Sequence, residues 1–155
     1  MNQWDSLITG IILLRIYKFK RIKMNSKLGH IYLYVSDLDI TFKFYKELLE
    51  MLNYKQEHKA DWGFEFSQGD TSIWFEQSPE NFRKEGYHRK RVGLNHIAFR
   101  VESKEDVDTF HKDFLKANNI ETLYETPKSF PDYGEKYYAV FFEDPDRIKL
   151  EVAYY

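Results

Sequence analysis

Hydrophobic and polar positions alternate strictly in two short stretches of the chain. In His30 to Val35 (HIYLYV), Ile31, Leu33 and Val35 fall on one side and His30, Tyr32 and Tyr34 on the other. In His96 to Val101 (HIAFRV), Ile97, Phe99 and Val101 oppose His96, Ala98 and Arg100. A period of two marks a strand with one buried face. After each stretch the apolar period lengthens to that of a helix. Leu38, Phe42, Tyr45, Leu49 and Leu52 predict a helix near Leu38 to Leu52; Val107, Phe110, Phe114 and Leu115 predict one near Lys104 to Ala117. Ser36-x-x-Asp39 and Ser103-x-x-Asp106 read as helix starts, each a hydroxyl cap with an acid in the first turn, and Asn118-Asn119 reads as a stop. Three short strands then follow in each half: near Tyr54 to His58, Trp62 to Phe66 and Thr71 to Gln77, and near Glu121 to Glu125, Tyr137 to Glu143 and Ile148 to Ala153. Gln68-Gly69-Asp70 and Asp144-Pro145-Asp146-Arg147 supply hairpin turns. Lys128 to Gly134 reads as an irregular loop of the kind that covers sites.

The two halves are copies. Leu28-Gly29-His30-Ile31 is echoed by Leu94-Asn95-His96-Ile97, an offset of 66 residues that also pairs Val35 with Val101, Phe44 with Phe110, Lys46 with Lys112 and Leu49 with Leu115. A period this long signals a duplicated supersecondary unit. The predicted fold is therefore α+β: two βαβββ modules, residues 27–77 and 94–155, joined by a linker over 78–93. Together they would form a concave, half-barrel mixed sheet with helices on its outer face. The domain proper runs from 24 to 155, and residues 1–23 read as an appendage. Within that appendage, the apolar run Leu7 to Tyr17 is about half the length of a membrane span. Its cations, Lys18 to Lys23, follow the apolar run rather than precede it, unlike a signal peptide. An interfacial anchor is the alternative reading.

Composition narrows the picture. A chain of 155 residues with 43% apolar and 31% charged residues can bury a core of its own. Aromatics reach 18%, enough both to pack a core and to line a cavity. A net charge of −2 gives no drive toward nucleic acid. The absence of cysteine excludes disulfides, thiolate metal sites and a cysteine nucleophile, and fits a cytoplasmic setting.

With helices on one face of each sheet, strand parity puts His30 and His96 on the other. Leu150 and Val152 claim the helix side of the last strand, so Glu151 falls on the open face as well. Two imidazoles and a carboxylate suit a divalent transition metal with coordination positions left for water or substrate. The alternative is that each histidine is a satisfied core or rim residue. These stretches, with Phe142-Glu143-Asp144-Pro145-Asp146-Arg147-Ile148-Lys149-Leu150-Glu151, resemble the vicinal oxygen chelate superfamily. That family includes glyoxalase I, fosfomycin-resistance thiol transferases, extradiol dioxygenases and bleomycin-binding proteins. The resemblance covers residues 27–155, departing from the family at Arg147, where glycine is usual.

The resemblance implies His30, His96 and Glu151 as ligands of Ni, Zn, Mn or Fe. A fourth ligand would come from Thr71 to Gln77, where two registers compete: one puts Glu76 at the ligand place, the other Trp74. Glu151 and Glu76 are the candidate catalytic carboxylates, and Tyr32, Trp74, Arg100 and Tyr138 the candidate substrate contacts. His88-Arg89-Lys90-Arg91 could hold an anionic substrate tail or be a solvated run. The implied activity is Lewis-acid chemistry on a small oxygen-chelating substrate, of isomerase or lyase, transferase or dioxygenase type. The alternative is a metal-free small-molecule-binding protein. A homodimer is implied, without nucleic-acid or membrane partners.

Overall fold

The computed structural model describes residues 23–155; the readings made of Leu7 to Tyr17 lie outside the described residues. Both modules follow the predicted order. The first consists of β1 (His30–Val35), α1 (Leu38–Met51), β2 (Lys55–Ala60), β3 (Gly63–Gln68) and β4 (Thr71–Gln77). A short α2 (Glu80–Arg83) interrupts the linker. The second module has β5 (His96–Arg100), α3 (Lys104–Phe110) continuing into a π-helical stretch (His111–Lys116), β6 (Thr122–Ser129), β7 (Tyr138–Glu143) and β8 (Lys149–Tyr154). Among the described residues no helix is long and apolar enough to cross a membrane.

Each module makes a four-stranded mixed sheet, in the orders β1-β4-β3-β2 and β5-β8-β7-β6. β1 runs parallel to β4 and β5 parallel to β8, because a helix returns the chain to the start of the sheet; the other neighbours are antiparallel. The sheets do not close. β1 and β5 are edge strands of different sheets. Helix α1 packs across to the second module: Phe44 meets Phe114 edge-on at 5.8 Å, and the buried Tyr45 hydroxyl donates to Asp144 Oδ2 at 2.8 Å. The Ser36 amide donates to Asp146 Oδ2 at 2.9 Å across the same seam. One core therefore serves both modules, with Leu48, Leu49, Phe66, Phe75, Leu115, Phe142 and Leu150 fully buried. Side chains of this size each contribute about 1.5–3 kcal/mol by leaving water.

Local signals explain the element ends, with two corrections. The cap of α1 is Asp37, whose carboxylate accepts from the Ile40 amide at 2.9 Å, not the predicted Ser36. Ser103 caps α3 as predicted. Both helical segments stop at an asparagine with positive φ, Asn53 (64°) and Asn119 (55°), again 66 positions apart. Strand β6 extends to Ser129, into the stretch predicted as loop. It does so through a break in register between Leu123 and Lys128, where Tyr124 and Glu125 both take positive φ. The Thr126 hydroxyl closes the break, donating to Leu123 O and accepting from the Phe141 amide.

Candidate metal centre

The aliphatic side of β5 and β8 faces the core, so their other side carries His96, Lys149 and Glu151. Glu151 lies deep, at 1% exposure, while the His96 side chain is about one-third exposed. His96 Nε2 stands 3.1 Å from Glu151 Oε2. On the far side of the imidazole, Nδ1 lies 2.8 Å from Asn95 Oδ1. The Asn95 amide nitrogen donates to Arg89 O at 3.1 Å, which fixes Oδ1 toward the ring. Because that oxygen only accepts, Nδ1 carries a proton, so Nε2 meets Glu151 either as the second N–H of an imidazolium or, with a cation between them, through its lone pair. The second carboxylate oxygen, Oε1, accepts the Tyr137 hydroxyl at 2.6 Å. Burial, followed by this hydrogen bond, pushes the Tyr137 hydroxyl far above the usual tyrosine range, so it stays a donor. The pair opens onto a cavity of about 500 Å³ walled by Tyr124, Phe130, Tyr133 and Phe141, with Lys149 at its edge.

Two donors each about 2.1 Å from one ion, at the angles of tetrahedral or octahedral coordination, sit roughly 3.0–3.4 Å apart. The His96–Glu151 separation falls in that interval. A buried carboxylate calls for a cation, which the protonated ring or an ion held between the two donors would supply. The donor set therefore fits a divalent ion. Within one chain it is incomplete: among the described residues, no three His, Asp or Glu side chains come together as a metal cluster. His30 is exposed at the start of edge strand β1, in the other sheet.

The first sheet resolves the competing registers. Tyr32 pairs with Trp74, and Ala98 pairs with Glu151. Trp74 thus holds the position in the first module that Glu151 holds in the second. Its indole lies parallel to Tyr32 and to Trp62, both within 5° and with centroids 6.3 and 6.1 Å away. Glu76 pairs with Tyr34 and accepts the Tyr32 hydroxyl. That hydrogen bond, helped by burial and the carboxylate charge, pushes the Tyr32 hydroxyl up to about 12.

Two predicted contacts lie elsewhere. Tyr138 is on the wrong face: Phe141 is the register partner of Glu151, so odd-numbered residues of β7 face the cavity. Tyr138 packs toward α3, with its hydroxyl on Asp108 Oδ1 at 2.7 Å. The cavity tyrosine is its neighbour Tyr137, which parity counted back from Phe141 could have found. Arg100 shares the open face of β5, but its guanidinium is held by the Tyr155 backbone oxygen and lies 4.7 Å over the Tyr155 ring. The basic run is likewise engaged, since Arg89 pairs with Glu143, which Arg147 also approaches at 3.3 Å.

Comparison with known proteins matches residues 27–152 to the Glyoxalase/Bleomycin resistance protein/Dioxygenase superfamily. The chain is 42% identical over 124 residues to the uncharacterized protein YqjT of Bacillus subtilis (strain 168), covering 80% of this chain and 95% of that protein. Its structure is similar to that of a Bacillus halodurans protein provisionally named a glyoxalase: TM-score 0.78, 36% identity, 84% of this chain and 97% of that one. Lactoylglutathione lyase from Agrobacterium tumefaciens matches with a TM-score of 0.61 over 85% of this chain and 96% of that one; at 22% identity the likeness is one of fold.

Proposed function

The chain belongs to the glyoxalase/bleomycin resistance protein/dioxygenase superfamily, and from that premise we propose that it is a metal-dependent enzyme acting on a small oxygen-chelating substrate. The observation that carries the reading is the convergence of His96 Nε2 and Glu151 Oε2 at 3.1 Å on a buried, aromatic-walled face, with Asn95 holding the imidazole tautomer. His96 and Glu151 of one chain, with His30 of a second copy, would hold the ion. What supports a shared site is that, among the described residues, β1 and β5 are edge strands of their sheets, and His30 and His96 each begin one of them. Joining those edges between two copies in a cytoplasmic homodimer brings the two imidazoles together.

Bound there, a divalent Ni, Zn, Mn or Fe ion supplies Lewis-acid polarisation of neighbouring substrate oxygens. The chain's residues do the rest. Asn95 orients His96, and the rings of Tyr124, Phe130 and Phe141 wall the cavity in which substrate would sit. Trp74 and Glu76 ride on the same sheet face as His30 and would enter the shared site with it, Glu76 as the carboxylate able to take a proton. With an indole at the fourth ligand place, three protein donors remain and coordination positions stay open for substrate.

Elemental analysis of untagged protein tests this, beside His30→Ala, His96→Ala and an equimolar refolded mixture of the two. The expected result is near-stoichiometric metal in the wild type, loss in each variant, and recovery of about a quarter of the sites in the mixture, because half of randomly formed dimers keep one intact site. No metal in the wild type after supplementation would refute the proposal. It would leave the second reading, a metal-free binding protein, which the parallel array Tyr32–Trp74–Trp62 favours as a surface for a flat ligand.

A further inference from the structure

Glu151 has two oxygens, and the fold treats them differently. Oε2 faces His96, whereas Oε1 is taken by the Tyr137 hydroxyl at 2.6 Å, a short, charge-assisted contact. Tyr137 is itself held on every side. Its ring stacks on Tyr155 with centroids 4.8 Å apart and planes within 3°, and Tyr133 meets it edge-on at 5.5 Å. Its backbone is pinned as well: its amide donates to Gly134 O and its carbonyl accepts from the Phe130 amide. Tyr155 is anchored in turn by Arg100, which donates to its backbone oxygen and lies over its ring. A continuous brace thus runs from Arg100 on edge strand β5 through Tyr155 and Tyr137 to one oxygen of Glu151. No part of this brace belongs to the motifs that mark the repeat.

We infer that Tyr137 is a positioning residue, braced by Tyr155 and Arg100, that fixes Glu151 as a one-oxygen donor and keeps its second oxygen off the ion. The inference rests on the metal reading above. Its functional consequence is an extra open coordination place: a carboxylate free to bind through both oxygens would occupy a position that a chelating substrate needs.

Cobalt(II) alone is the probe, added to the full-length chain. Affinity is measured by competition with a chelator, and coordination by the visible absorption of the bound ion. Tyr137→Phe removes only the hydroxyl and keeps the stacked ring, so its melting midpoint serves as the check on folding. The expected result is an affinity about 10–100-fold weaker, the usual effect of removing a partner that orients a ligand, together with a changed absorption spectrum. Tyr155→Ala should move affinity and spectrum the same way, and Tyr155→Phe should restore both. A merely structural tyrosine would alter the melting midpoint and leave the spectrum of the bound ion as in the wild type. Unchanged affinity and spectrum in Tyr137→Phe, with wild-type protein binding cobalt, overturns this inference alone. Failure of the wild type to bind cobalt overturns the metal reading and this inference with it.

Discussion

Replacing Asp144 by asparagine should remove most of the pH dependence of stability between pH 5 and 8. The carboxyl is 5% exposed, sits in the turn between β7 and β8, and accepts the Tyr45 hydroxyl and the amides of Asp146 and Ile148. Burial outweighs these donors and pushes it from an ordinary 3.8 up to about 7. The folded chain therefore holds this proton more tightly than the unfolded chain does. Stability is then highest below the unfolded value and falls as pH rises toward the folded one. The slope is about 1.4 kcal/mol per pH unit at most, and the total near 4 kcal/mol for a shift of about three units. Above pH 7 the full cost of the buried charge is present. Asparagine keeps an acceptor for the two amides, and its nitrogen can donate to the Tyr45 oxygen, so the bonding survives while the charge does not. His111, which burial pushes down, titrates in the opposite sense and is common to both proteins. The difference between their curves therefore isolates Asp144. Urea unfolding at pH 5, 6, 7 and 8 should show wild-type stability converging on or falling below that of Asp144→Asn as pH rises. Parallel curves across that range would refute the reasoning.

Arg147 holds a φ of 67°, where glycine has no steric penalty. Its own side chain is largely exposed and Glu143 keeps Arg89 as a partner, so Arg147→Gly should gain up to about 1 kcal/mol in denaturant unfolding. Leu48 is fully buried in the core, and Leu48→Ala should cost about 2–5 kcal/mol by the same assay, with a proportionate fall in the melting midpoint. Removing the Tyr45 hydroxyl in Tyr45→Phe leaves Asp144 short of a donor; it should cost about 1–3 kcal/mol and be most damaging above pH 7, where the carboxyl is charged.

Much of this architecture could be read from residue order because it rests on local periods. Alternation in His30 to Val35 and His96 to Val101 was enough to locate both first strands and to put Glu151 on the same face as His96. Tyr138 falls on the helix side and Tyr137 on the cavity side because the pairing of Phe141 with Glu151 sets the parity of β7. Asp37 displaced Ser36 as the cap of α1 because both are adjacent acceptors and backbone geometry decides between them. Strand β6 outran its prediction because the positive φ of Tyr124 and Glu125 absorbs a break that would otherwise end it. The docking of α1 on the second module was not legible at all: it rests on contacts such as Phe44 with Phe114 that no single element encodes.

On the shared-site proposal, the edges of β1 and β5 would bear on how much of this protein is competent at any moment. A site split between copies obeys mass action, so its abundance rises with the square of chain concentration when chains are scarce and levels off once pairing saturates. Dilution would then empty the sites while every module stays folded, and the dissociation constant of the pair, rather than the stability of either half, would set the lowest concentration at which the protein works.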